Sequence, residues 1–121
     1  MFKKVLQDIA HRTEGCLGVL IMGTDGIAVE KVWQPAGTEA NLDVVVAEYT
    51  SLLRNAKRTN SEMGLGKLRE FTLTSDSGIF ILRFVSEDYF IAMIISPNGN
   101  YGRGRYELRR AELLLEKELV I

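Results

Sequence analysis

One histidine and one cysteine are all that the 121 residues offer of the side chains that most often carry nucleophilic, metal or proton-transfer chemistry near neutral pH. A lone cysteine excludes an internal disulfide and fits a reducing compartment. Cys16 opens an apolar run with no histidine near it in sequence, so it reads as a core thiol rather than a nucleophile. His11 closes the first helical pattern, where a cation favours the helix dipole, and no Cys/His cluster has metal-ligand spacing. A net charge of −1 leaves no global field to draw the chain to nucleic acid or anionic lipid. No apolar run reaches about 18 residues, and residues 1–15 lack the apolar segment of a signal peptide. Together these absences predict a cytoplasmic protein that is not an enzyme, with no cofactor, no metal, no nucleic acid and no membrane among its partners.

The glycines raise the question of a phosphate-binding loop, and their surroundings answer against it. Gly66 and Lys67 are followed by Leu68 rather than Ser or Thr, and Ser61 stands where the first glycine of that loop belongs. Glu87 and Asp88 sit in a turn pattern, which explains them better than acid–base work. The basic segment Arg103, Gly104, Arg105, continued by Arg109 and Arg110, has only Tyr101 and Tyr106 as neighbouring aromatics. Glu107, Glu112, Glu116 and Glu118 neutralise it along the same helix. Arginines at the start of a helix and glutamates at its end oppose the dipole, at roughly a few tenths of a kcal/mol per charge. Intrahelical pairs or an acidic partner would offset that cost. The segment reads as a solvated charged face.

What is present is a globule's composition, with 46% apolar and 26% charged residues. One domain over residues 1–121 can build a core without staples, since a chain of this size buries about two-thirds of its surface. Its organising element is a helix over residues 41–63, roughly 30 Å long. Leu42, Val45, Val46, Tyr49, Leu52, Leu53, Ala56 and Met63 follow helical spacing and form the expected core face. Asn41 is the expected N-cap, Asp43 suits the positive end of the dipole, and Gly64 is the expected stop. The opposite face carries Ala47, Ser51 and Asn55 at i, i+4 and i+8, flanked by Val44, Arg54 and Arg58. Small side chains at that spacing predict close approach of another backbone; the alternative is a solvent face that happens to be small.

The rest of the chain falls into order around this helix. Residues 2–12 predict a first helix with Phe2, Val5, Leu6 and Ile9 on one face. Residues 16–22 predict a strand covered on both faces. Thr24, Asp25 and Gly26 predict a hairpin turn, and residues 27–33 a more exposed strand with Trp33 at its end. Gln34 to Thr38 is a loop. After the long helix, residues 68–74, 79–85 and 89–95 predict three strands. A last helix over 103–119 carries Leu108, Ala111, Leu115 and Leu119 on one side. The order α-β-β-α-β-β-β-α, with turns of two to four residues between strands, predicts an α/β (α+β) domain. Its five-stranded sheet is mostly antiparallel, with helices on its faces.

Three stretches in this order resemble the roadblock family. Gly15 to Glu30 (GCLGVLIMGTDGIAVE) is similar to the family's first hairpin, and Asp88 to Pro97 (DYFIAMIISP) to its last strand. Gly102 to Ala111 (GRGRYELRRA) resembles the extra C-terminal helix of bacterial members such as the MglB group, which the roadblock dynein light chain lacks. The resemblance covers essentially the whole chain and implies a roadblock/profilin-like sandwich. It also implies a homodimer whose third strands pair into one continuous sheet and whose long helices lie side by side. Carried over, the dimer contacts are Val44, Leu68, Phe71 and Leu73. The implied partner is a Ras-like small GTPase of the MglA type, regulated without a catalytic residue from this chain. Ala47, Ser51, Arg54, Asn55 and Arg58 are the residues expected to line that partner surface. The alternative is a structural adaptor for a non-GTPase protein, using the edge strand over residues 27–33 with an exposed Trp33 as anchor. A small-ligand sensor on a profilin-like or PAS-like scaffold is a third reading, though no polar cluster converges on a pocket.

Overall fold

A computed structural model describes residues 2–33 and 42–119. In chain order the elements are α1 (Phe2–Arg12), β1 (Cys16–Gly23), β2 (Ala28–Trp33), α2 (Leu42–Glu62), β3 (Glu70–Ser75), β4 (Gly78–Phe84), β5 (Tyr89–Ile95) and α3 (Tyr101–Leu119). The five strands form one sheet in the order β2-β1-β5-β4-β3, and every neighbouring pair is antiparallel. The expected α+β architecture is therefore the one observed. The expected N-cap Asn41, the loop 34–38 and the side chains of Leu42, Asp43, Glu118 and Leu119 lie outside the described residues.

Local chemistry sets the element ends. Leu65 N–H donates to Asn60 O at 2.9 Å and Gly64 N–H to Ser61 O at 3.1 Å, with Gly64 at φ 74°, which closes α2 in a Schellman motif. Gly66 also takes a positive φ, so the connector is still turning at Leu68, and β3 begins at Glu70 rather than at 68. α3 begins at Tyr101 rather than at 103 because Asn100 Oδ1 accepts from Arg103 N–H at 2.9 Å and serves as N-cap.

Alternation along the strands divides the core in two. Val19, Ile21, Ile81, Ile91, Met93 and Ile95 face α1 and α3, meeting Leu6, Ile9, Leu108, Ala111 and Leu115. Leu20, Met22, Phe80, Leu82, Phe90 and Ala92 face α2. Gly104 lets α3 lie close on the sheet, since a Cβ there would come 3.1 Å from Met93 Sδ.

The core face of α2 differs from the expectation. Val46 and Leu53 are 0% and 3% exposed and Thr50 is buried between them, whereas Val45 and Leu52 remain 48% and 44% exposed and Met63 is also outside. One helix lying across a sheet buries a narrow stripe, and here that stripe runs through positions 46, 50 and 53. The apolar pattern of the sequence is wider than this stripe, and its surplus lies on one flank. Thr50 fits inside because its Oγ1 donates to Ala47 O at 2.6 Å.

Candidate partner-binding surfaces

The two flanks of α2 differ in chemistry and in what lies beside them. On one flank Ala47, Ser51 and Arg54 face the β1–β2 turn. That turn is held by Gly23 N–H donating to Ile27 O at 3.0 Å and by Asp25 Oδ1 accepting from Ile27 N–H at 3.0 Å. A Cβ on Gly26 would meet Ala47 Cβ at 3.6 Å. The close backbone approach predicted at Ala47 is thus made by the chain's own turn, and Ala47 is half-buried against the second core cluster. Ser51, Arg54, Asn55 and Arg58 are exposed. Val44, expected at the dimer contact, lies on this flank in a shallow groove with Gly26, Ala47, Glu48 and Ser51.

On the other flank the Tyr49 and Phe80 rings pack at 4.8 Å between centroids, which directs this side of α2 toward β4 and β3. A rotation of 100° per residue then places the exposed Val45 and Leu52 just beyond Tyr49, over the β3 side of the sheet. Phe71 and Leu73 of β3 pair with Leu82 and Phe80 of β4 and extend the α2-facing core to the sheet edge. β3 is a terminal strand, so half of its backbone groups point away from the sheet. Leu68, expected in the pairing strand, precedes it and is half-buried against its own core. Val45 and Leu52 are the residues that sequence reasoning misplaced. The excess width of the apolar stripe was the signal for them.

The opposite face of β3 carries an ionic ladder that sequence reasoning did not find. Arg105 Nε donates to Glu70 Oε2 at 2.6 Å, Arg83 Nη1 donates to Glu70 Oε1 at 3.1 Å, and Arg83 Nε donates to Glu112 Oε1 at 2.7 Å. The bond to Glu70 raises the already high pKa of Arg105 further. Glu107 is buried between Arg103, whose Nη2 lies 2.8 Å from Oε2, and Arg110, whose Nη2 lies 3.2 Å from Oε1. Oε2 lacks a well-directed hydrogen bond, so its contact with Arg103 is one of charge. The predicted solvated face of α3 is corrected in part. Arg103, Arg105, Arg110, Glu107 and Glu112 close on one another and on the sheet, which offsets the unfavourable dipole order, while Arg109 and Glu116 are exposed. An arginine inside the apolar strand Gly78–Phe84 was the available signal.

Burial pushes the Cys16 thiol up to about 11, against a smaller lowering by the Gly18 backbone. His11 is exposed. Trp33, expected to be an exposed anchor, is half-buried and packs against the second core cluster. A cleft of about 640 Å³ mixes Lys57, Lys67 and Arg69 with Glu87, Glu112 and Glu116, so neither sign of charge dominates it. Lys67 spans part of that cleft to Glu87 at 2.9 Å and holds its carboxyl below the usual range. Among the described residues no His/Cys/Asp/Glu group could hold a metal ion, and no helix is long and apolar enough to cross a membrane.

Comparison with known proteins places this geometry. The family model of the Roadblock/LC7 domain matches residues 2–95. The crystal structure of MglC from Myxococcus xanthus is 32% identical, covers 98% of this chain and 98% of its own, and superposes with a TM-score of 0.74. The gliding protein MglB from Thermus thermophilus is 14% identical and covers 94% of this chain and 84% of its own, with a TM-score of 0.85. At that identity the likeness is one of fold. An uncharacterized protein of Methanocaldococcus jannaschii is 27% identical over 111 residues, 92% of this chain and 90% of its own.

Proposed function

The chain belongs to the Roadblock/LC7 domain family, and from that premise we propose that it is a non-enzymatic homodimer that binds a Ras-like small GTPase of the MglA type and modulates its nucleotide cycle. The observation that carries this reading is the division of labour around α2. One flank exposes Val45 and Leu52, which helical rotation turns toward the β3 side, where Phe71 and Leu73 carry the α2-facing core to an open strand edge. Pairing there would bury apolar area and satisfy the free edge of β3 in one step. The outward side and second flank, with Ser51, Arg54, Asn55 and Arg58, stay exposed after such pairing and carry two arginines for an acidic partner surface. Two such helices side by side double that surface. Likeness to the MglB and MglC structures supports the choice of partner class.

The surface is tested by Ser51→Arg together with Arg58→Glu, both exposed positions. Ala47 is unsuitable for such a test, because a larger side chain there would press on Gly26. The double variant is expected to dimerise as the parent does and to lose GTPase binding in a pull-down. Unchanged binding would remove this surface from the account.

A further inference from the structure

The buried stripe of α2 through Val46, Thr50 and Leu53 continues by helical spacing to position 57, and the residue there is lysine. An apolar residue at 57 would close the second core layer over the ends of β4 and β5. Lys57 instead lays its stem across that end, with its ammonium 4.7 Å from the centroid of the Phe84 ring. Beside it a pocket of about 350 Å³ opens between α2, the β1–β2 turn and the strand ends. Leu53, Phe84 and Phe90 give it an apolar floor, the two rings meeting edge to face at 6.0 Å. Leu53 and Phe90 are buried, whereas Phe84 is partly open to the pocket.

The rim carries charge of one effective sign. Arg54 stands one turn before Lys57 on the same side of α2, is exposed, and forms no ion pair among the described residues. Asp25 is the one carboxylate among the described residues of the lining. Its Oδ1 turns back on its own loop to accept from Ile27 N–H at 3.0 Å. Glu87 acts on Lys57 from outside the pocket and is itself bridged to Lys67 at 2.9 Å. The wall facing α2 is fixed, because Thr24 N–H donates to Asp88 O at 2.8 Å and Gly26 N–H to Gly23 O at 2.9 Å. With those amides spent, recognition of an anion falls to the two cationic side chains.

We propose that this pocket binds a small carboxylic acid, its aromatic or aliphatic body seated on Leu53, Phe84 and Phe90 and its carboxylate held by Arg54 and Lys57. Sites for small molecules begin at roughly 300 Å³ and combine an apolar lining with a few placed polar groups, which is the composition found here. The planar fork of Arg54 matches a carboxylate, and Lys57 adds a second charge at the mouth. A phosphate would lack the cluster of free backbone amides that such groups use. The cleft of about 640 Å³ on the other side of Lys57 is a poorer site for an anion, since its lysines and arginine are matched by three glutamates.

The test is a titration of the isotopically labelled chain with phenylacetate and with hexanoate, each beside its neutral amide, read by backbone amide shifts. At least one acid is expected to give saturable shifts centred on Thr24, Leu53, Lys57, Phe84 and Phe90. Its amide is expected to bind the same place roughly tenfold more weakly. Arg54→Gln combined with Lys57→Gln changes two residues outside the buried core. That variant is expected to fold as the parent does and to bring the acid down to the affinity of the amide. Shifts that fail to saturate with either acid, equal binding of acid and amide, or a double variant that keeps the preference would overturn the site. No GTPase takes part in the titration, so loss of this site leaves the proposed partner standing, and loss of the partner leaves the site.

Discussion

Arg83 Nε lies 2.7 Å from Glu112 Oε1, and this contact ties β4 to α3. Through Glu70 the same guanidinium also reaches the terminal strand. The side chains of Arg83, Glu70 and Glu112 are only 13%, 14% and 21% exposed, so each depends on the others for its solvation.

Removal of Arg83 is therefore expected to cost more than removal of either carboxylate. Arg83→Met strands Glu112 and leaves Glu70 with Arg105 alone, at about 2–4 kcal/mol. Glu112→Gln keeps an acceptor in place and costs about 1 kcal/mol. Urea denaturation of the two variants measures this, and equal losses would contradict the ladder.

Adjacent leucines on α2 are expected to behave differently. Leu53 is buried and Leu52 is not. Leu53→Ala should lower unfolding free energy by about 2–4 kcal/mol at any protein concentration. Leu52→Ala should leave the isolated fold within about 0.5 kcal/mol of the parent and weaken self-association instead. Thermal melts at several protein concentrations separate the two effects, because only the second depends on concentration.

Gly15 joins α1 to β1 at φ 85°, and an added Cβ would collide with the backbone of Gly99. Gly15→Ala combines left-handed strain with that collision, an expected loss of about 2 kcal/mol or more. A thermal midpoint within a degree of the parent's would be incompatible with the observed packing of this turn.

The Cys16 thiol sets a limit on stability at alkaline pH. Its pKa is raised from 9.0 to about 11, so the fold favours the protonated thiol. The resulting stabilisation is fully present below pH 9 and is lost as pH rises from about 9 to about 11. At most about 2–3 kcal/mol is at stake. Cys16→Ala should flatten that part of the stability curve, and labelling of native Cys16 by a thiol reagent at pH 8 should follow the opening of the fold.

Much of the fold was legible because it is written in local terms. The run Val19, Leu20, Ile21, Met22 needs cover on both faces, and it receives α2 on one and α1 with α3 on the other. Gly64 stops the long helix as its backbone freedom allows. Asn100 escaped notice because a residue that breaks a strand pattern can equally cap the next helix. The ladder was invisible for a different reason, since Arg83 and Glu112 lie 29 residues apart and no spacing rule joins them. On α2 the helical period gave a direction for the apolar residues and no width. Val45 and Leu52 could not be told from Val46 and Leu53 until the sheet's position was known.

The proposed dimer is expected to read the nucleotide state of a Ras-like GTPase. Titration of the chain into a fluorescently labelled Ras-like GTPase from the same genome, loaded with a GTP analogue and then with GDP, tests it most directly. Tighter binding to the GTP form, saturating at two protomers per GTPase, is the result the account predicts. Equal binding to both forms, or none to either, would contradict it.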